Sequence, residues 1–276
     1  MVDKAGRPEQ LPDSLPNEAT TTEAILRVDH VTIHFGGLTA LSGVDFQVRR
    51  GEICGLVGPN GAGKTTLFNV VCGVYRPSAG AVYFRGQAIS GLPVHRIARQ
   101  GIARTFQVVK PIPHMTCLEN VMVAAGAHLL ARTWTPFTTR DKRRVESRAL
   151  EALDRVGLAG EAHLPAGQLN LGYLRRLELA RAILLNPSLL LLDEPVAGLG
   201  YDAVEEFIAL IRSLHRTGLT VLLVEHNTGV AEALCNRLLV LDQGRLIAQG
   251  HPDQVLSDPV VIEAYLGKDD QHAPIP

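Results

Sequence analysis

Long apolar runs are missing from this 276-residue chain. The densest stretch, Ile183 to Leu192, is interrupted by Asn186, Pro187 and Ser188. Spanning a bilayer takes about 20 consecutive apolar residues, so no transmembrane helix is expected. An excess of either charge is missing too. Lys plus Arg number 27 against 28 for Asp plus Glu, a net charge of -1. That balance gives no support for wholesale wrapping of nucleic acid or a polybasic membrane patch, though a local site stays open. Lysine is scarce: Lys4, Lys64, Lys110, Lys142 and Lys268 are all there are. Cysteine is scarce as well, and Cys54, Cys72, Cys117 and Cys235 form neither a CxxC pair nor a metal-ligand spacing. Cys54 and Cys72 lie in apolar runs and read as small core residues of a reduced, cytosolic chain.

What remains is ordinary globular material, 46% hydrophobic and 20% charged. At about 150 residues per domain, the length allows one large domain or two small ones. Residues 1–23 are polar, rich in Pro, Glu and Thr, and lack an apolar signal segment; they read as a disordered leader. LRVDHVTIHF and VDFQVRR alternate like half-buried strands, and EICGLVG is a short apolar strand entering a glycine-rich turn. A helical pattern follows from Lys64 to Val71, and AVYFRGQAI reads as another strand. From about Met115 the period becomes helical: Thr116 and Glu119 fit a capping box, and DKRRVESRALEALDRV is amphipathic up to Gly157. This stretch, about 115–185, is expected to form a helical subdomain that closes with a helix from about Tyr173 to Leu185.

SLLLLDE is expected to be a strand despite its leucines, because it is short, follows Pro187 and is apolar on both faces, as strands in parallel sheets are. Residues 205–216 read as a helix, TVLLVEH as a second buried strand, and RLLVLDQGRLIAQG as a hairpin turning at Asp242-Gln243-Gly244. Asp258-Pro259 opens a last helix ending near Gly267, and 268–276 reads as a loose tail. Strand–helix alternation predicts an α/β fold.

Gly58, Pro59, Asn60, Gly61, Ala62, Gly63, Lys64 and Thr65 match GxxxxGK[ST]. At average composition that pattern arises by chance in about one chain of this length in a hundred. Glycines let successive backbone N–H groups point inward around an anion, and the helix behind them adds a partial positive charge. Lys64 is expected to reach the β- and γ-phosphates of a nucleotide, and the Thr65 hydroxyl to ligate Mg²⁺. Asp193 and Glu194 end the leucine strand, at the edge where parallel α/β sheets bind ligands. Asp193 suits Mg²⁺ and Glu194 suits polarising the attacking water; alone, the pair would equally serve to cap a strand before Pro195. His226 ends the next buried strand at the same edge, placed to donate to the γ-phosphate or steer the water. Gln107 is either an ordinary loop amide or a bridge to Mg²⁺ or the water.

The order and spacing of these parts resemble the nucleotide-binding subunit of ATP-binding-cassette (ABC) transporters, over about Leu26 to Gly267. GPNGAGKTT, GIARTFQ, LLLLDEP, LLVEHN, LDQGRLIAQG and DPVVIEAYLG look like the branched-chain amino acid importer branch, with the lipopolysaccharide-export ATPase a close relative. The resemblance implies a P-loop NTPase (RecA-like) core with an antiparallel β subdomain and a helical subdomain. It implies residues 58–66 (Thr66 included) as the Walker A loop and Asp193 as the Walker B acid. Glu194 becomes the catalytic carboxylate, Gln107 the Q-loop glutamine and His226 the switch histidine. Phe35 falls where the family stacks an aromatic on adenine, although by composition it would equally be a core residue. ATP and Mg²⁺ are the implied cofactors. The implied partners are integral-membrane permease subunits docking near Gln107, a second ATPase subunit and, indirectly, a solute-binding receptor.

One segment departs from the family pattern. Where relatives carry LSGGQ or a near variant, this chain has Leu169, Asn170, Leu171, Gly172 and Tyr173. Asn170 replaces the serine that would bond the γ-phosphate of the partner's nucleotide, and Gly200 stands where many cassettes carry Asp or Asn. The segment is expected to serve the partner's site, so the departure points either to an asymmetric pair of cassettes or to a tolerated variant. The competing functions are a lipid-type exporter ATPase, a non-transport ABC ATPase and a regulatory scaffold without turnover.

Overall fold

The computed structural model describes residues 23–105, 110–130 and 139–266. Two long strands open it, β1 (Ala24–Phe35) and β2 (Leu38–Arg49), paired antiparallel. The inward residues of β1 change parity between Val28 and Val31, and a register shift there absorbs the extra residue. His30, at φ 47°, takes the bend. Strand β3 (Ile53–Val57) leads through the glycine-rich turn into helix α1 (Lys64–Val71), both as read from the sequence.

AVYFRGQAI is two strands rather than one: β4 (Ala79–Phe84) and the short β5 (Gln87–Ala88). Arg85 and Gly86 both take positive φ, 50° and 74°, which is the two-residue hairpin turn. Helix α2 (Val94–Gln100) and the three-residue β6 (Ile102–Arg104) follow. The helical region comprises α3 (Cys117–Leu130), α4 (Thr139–Arg155) and α5 (Leu171–Ile183). The capping box at its entrance is reciprocal: Thr116 Oγ1 accepts from Glu119 N at 3.1 Å, and Glu119 Oε2 accepts from Thr116 N at 2.8 Å. The Thr116 N–H, and then its hydroxyl, donate to the Glu119 carboxylate and hold it below its usual range. Gly157, at φ 73°, ends α4.

Then come β7 (Leu189–Asp193), α6 (Tyr201–His215), β8 (Thr220–Val224) and α7 (Thr228–Leu234). The hairpin β9 (Arg237–Asp242) and β10 (Arg245–Gly250), then α8 (Pro252–Leu256) and α9 (Pro259–Leu266), close the described residues.

Among the described residues the strands form two sheets, a four-stranded one ordered β2-β1-β4-β5 and a six-stranded one ordered β10-β9-β3-β8-β7-β6. In the second, β9, β3, β8, β7 and β6 run parallel, and β10 adds an antiparallel edge. The leucines of β7 explain the layering. Leu190 and Leu192 pack with the helical region, α6 and α7, while Leu189 and Leu191 pack with α1 and the antiparallel sheet. That is the period-two alternation of a strand buried on both faces. Each fully buried leucine contributes roughly 1.5–3 kcal/mol. β8 divides likewise, Val221 and Leu223 to one side, Leu222 and Val224 to the other. All four cysteines are free and buried. Burial pushes the Cys54 thiol up to about 12 and Cys72 to about 11, so they are inert packing groups.

Candidate functional site

The site grows from the junction of β3 and α1. Gly58 has φ 144°, and a Cβ there would lie 2.0 Å from the Leu241 carbonyl oxygen. Gly63 has φ 104°, and its Cβ would meet the Ala40 oxygen at 2.8 Å. Only glycine fits either place. Gly63 is also the N-cap of α1 and supplies no side-chain bond, which leaves first-turn N–H groups of the helix available to an anion. The turn of the last hairpin braces the loop from beside it: Gly244 N donates to Ala62 O at 2.9 Å, and Ser42 N donates to Gly244 O at 2.8 Å.

Lys64 is 5% exposed, and its ammonium donates to the Gly58 and Pro59 carbonyls at 2.6 and 2.9 Å. These two carbonyls are neutral acceptors, and a phosphate oxygen, which carries negative charge, offers the ammonium an ion pair in place of an ion–dipole contact. Residues 60–66, with Thr65 and Thr66, line one cavity together with Phe35, Glu194, His226 and Gln243. Phe35 is 44% exposed, edge-on to Tyr75 with ring centroids 5.1 Å apart. It is therefore not a core residue.

β7 and β8 deliver the acids and the histidine to that edge. Glu194 follows the last β7 residue and adopts φ 47°, a left-handed conformation unusual for glutamate. Its N–H donates to Val224 O at 2.9 Å, fixing the kink, and its Oε1 lies 2.6 Å from His226 Nε2. Asp193 is buried, and its Oδ2 accepts from Arg104 Nη2 at 2.7 Å. Glu225, between Val224 and His226, is 3% exposed. Burial pushes its carboxyl up to about 7, helped by the nearby Glu194 charge and opposed by the backbone N–H groups of Val196, Asn227 and His226. Its Oε1 is buried without a hydrogen-bond partner among the described residues.

Sequence reasoning passed over Glu225, Arg104 and Gln243. A charged residue closing an apolar run was the one signal available for Glu225. Gln107 lies outside the described residues.

Asn170 and Gly172 are not among the residues lining the cavity. Asn170 is the N-cap of α5, which starts two residues before the expected Tyr173, and its Oδ1 accepts from Tyr173 N at 2.9 Å. Tyr173 packs against the helical core, and Leu171 stays exposed.

A family model described as "ABC transporter" matches residues 41–197. The chain belongs to the ABC transporter family. A second model, "Branched-chain amino acid ATP-binding cassette transporter", matches residues 245–271 of the cassette. The cassette is 42% identical over 252 residues to the high-affinity branched-chain amino acid transport ATP-binding protein BraF of Pseudomonas aeruginosa, covering 88% of this chain and 98% of that protein. It is 40% identical over 255 residues to LivG of Escherichia coli K12, which carries the same description, covering 90% and 99%. Among solved structures, the ADP conformation of an ATP-binding cassette of an ABC transporter superposes with TM-score 0.81 at 31% identity, covering 90% of this chain and 100% of that one. The fold is thus the P-loop NTPase cassette, and the chain is an ATP-binding, ATP-hydrolysing subunit. Among the described residues no helix is long and apolar enough to cross a membrane.

Proposed function

We propose that this cassette energises import of branched-chain or other hydrophobic amino acids through separate membrane subunits, from the cytoplasmic face of the cell membrane. The observation that carries the substrate class is the match of residues 245–271 to the branched-chain transporter model, alongside 42% identity to BraF over 98% of its length. We read residues 24–267 as one ATP-binding domain with the helical subdomain at about 115–185. An apolar groove between α2, β6, α3 and α5, lined by Val94, Ile97, Ile102, Ala124 and Leu185, suits a permease helix. A solute-binding receptor would deliver the substrate from the far side.

The site residues then take these roles. Backbone N–H groups from Asn60 to Thr66 cradle the phosphates, and Lys64 turns from the Gly58 and Pro59 carbonyls to the β- and γ-phosphates. Phe35 offers an exposed ring to the adenine. Glu194 orients the attacking water and draws on its proton, and His226, 2.6 Å away, holds that carboxylate in place. The Thr65 hydroxyl and the Asp193 carboxylate are hard oxygen donors of the kind Mg²⁺ takes alongside phosphates and water, and Gln107 is the third candidate. When bound there, Mg²⁺ supplies neutralisation of the β,γ-phosphate charge.

The second cassette would complete the pair head to tail, and we read it as a different chain. Asn170 and Gly172 face that partner's nucleotide in this reading, and the Asn170 side chain already spends its oxygen on the Tyr173 N–H. Mixed dimers with Lys64 and its counterpart mutated separately test the asymmetry; equal loss from either would contradict it. The transport reading is tested by reconstituting the cassette with its permeases and receptor in liposomes. Leucine, isoleucine or valine should stimulate ATP turnover; stimulation by lipopolysaccharide, or by nucleic acid, would overturn it.

A further inference from the structure

Arg104 ends β6 and pairs in register with Leu191 of β7, two residues before Asp193. Its guanidinium donates from Nη1 to Asn69 Oδ1 at 2.6 Å and from Nη2 to Asp193 Oδ2 at 2.7 Å. It also stands over the Phe68 ring, 5.6 Å from the centroid. The Arg104 and Asp193 side chains are 10% and 6% exposed. Phe68 and Asn69 belong to α1, the helix that carries Lys64 and Thr65. One planar cation therefore ties the acid at the end of β7 to the helix that opens from the phosphate loop. Stability alone is a poor reason for such an arrangement, because a buried ion pair roughly breaks even with apolar packing.

We propose that Arg104 is a positioning residue for Asp193. By engaging Oδ2 it fixes the plane of the carboxylate, and Oδ1 stays outside that ion pair, set to receive the metal of a magnesium–nucleotide complex. The planar fork matters, since a lysine ammonium could not hold Asn69 and Asp193 in the same rigid geometry. The inference rests on reading Asp193 as a metal residue.

Charge and geometry make opposite predictions. A cation beside a ligating carboxylate repels a dication, so if charge dominated, removing Arg104 would tighten metal binding. If orientation dominates, removal loosens it, as loss of a group that orients a ligating carboxylate does. Asn69→Ala separates the two, because it slackens the clamp and leaves both charges in place.

The test is calorimetric titration of the full-length chain with ATP in excess Mg²⁺ and in excess EDTA, for wild type, D193N, R104M, R104K and N69A, with thermal melts to verify folding. We expect R104M to lose about tenfold of the Mg²⁺-dependent gain in affinity, with affinity in EDTA unchanged. N69A should lose less in the same direction, and R104K should fall between R104M and wild type. An unchanged or enlarged Mg²⁺ gain in R104M overturns the inference; if R104M does not fold, an unchanged gain in N69A does so. Should D193N itself leave the Mg²⁺ gain intact, the reading of Asp193 fails first and takes this inference with it.

Discussion

Two helix N-termini in this cassette are finished differently. α1 starts at Gly63, which gives no side-chain cap, whereas α5 starts at Asn170, whose Oδ1 accepts the Tyr173 N–H. The first leaves its backbone donors to a ligand. The second uses one of them on itself. With glycine at the cap, the open start of α1 is less stable than a side-chain-capped one by about a few tenths of a kcal/mol, and an arriving anion offsets that by accepting from the open donors. The phosphate-loop face therefore keeps backbone donors for a nucleotide, and the Asn170 face closes one of its own.

The largest effect that sharpens this contrast comes from Glu194. Glu194→Gln keeps the size and the hydrogen-bonding reach to His226 but removes the base, so turnover in the assembled transporter should fall about 10³-fold. ATP affinity by calorimetry should hold. A matching loss of affinity would show that Glu194 belongs to binding and not to the chemical step.

Next is Glu225, the buried acid behind the same face. Its carboxyl goes from the ordinary 4.5 up to about 7 in the folded chain. The folded state thus binds the proton more tightly than the unfolded one. The associated stability is complete below about pH 4.5 and is lost as pH rises through about 7. Glu225→Gln, neutral throughout, should abolish that decline and exceed wild type at pH 8.5 by up to about 3 kcal/mol, measured by urea unfolding. Parallel pH profiles for the two proteins would contradict the assignment.

The smallest effect probes the capped end. Asn170→Ala should cost about 1 kcal/mol, whereas Asn170→Ser keeps an acceptor and should cost only a few tenths. If Asn170→Ala is neutral in thermal melts, the cap adds nothing and the contrast between the two helix starts collapses.

Much of this was legible in the sequence where a residue's role depends on its immediate neighbours. The glycine-rich loop, the strand ending at Asp193, the capping box at Thr116 and the hairpin turn at Gln243 are all local devices, and the chain spells them out. The leucine run was legible as a strand from its length, its Pro187 start and its apolar character on both faces. α2 escaped notice because Ile97 is its one buried residue, which leaves no periodic stripe to read. β4 and β5 merged into one strand because Arg85 gives no hint that it accepts positive φ. The Asn69–Arg104–Asp193 cluster joins residues up to 124 positions apart in sequence, and no local pattern announces such a meeting. Asn170 was read as the replacement of a phosphate-binding serine, yet its oxygen caps its own helix, since an N-cap is set by backbone angles that composition does not reveal.

The central claim is that the amide-lined loop closed by Lys64 grips the triphosphate of ATP. Calorimetric titration of the folded chain with magnesium–ATP, beside Lys64→Ala with an unchanged melting temperature, tests it most directly. Saturable heat in the wild type that the variant lacks is the expected result. No heat in either protein, or equal heat in both, would contradict it.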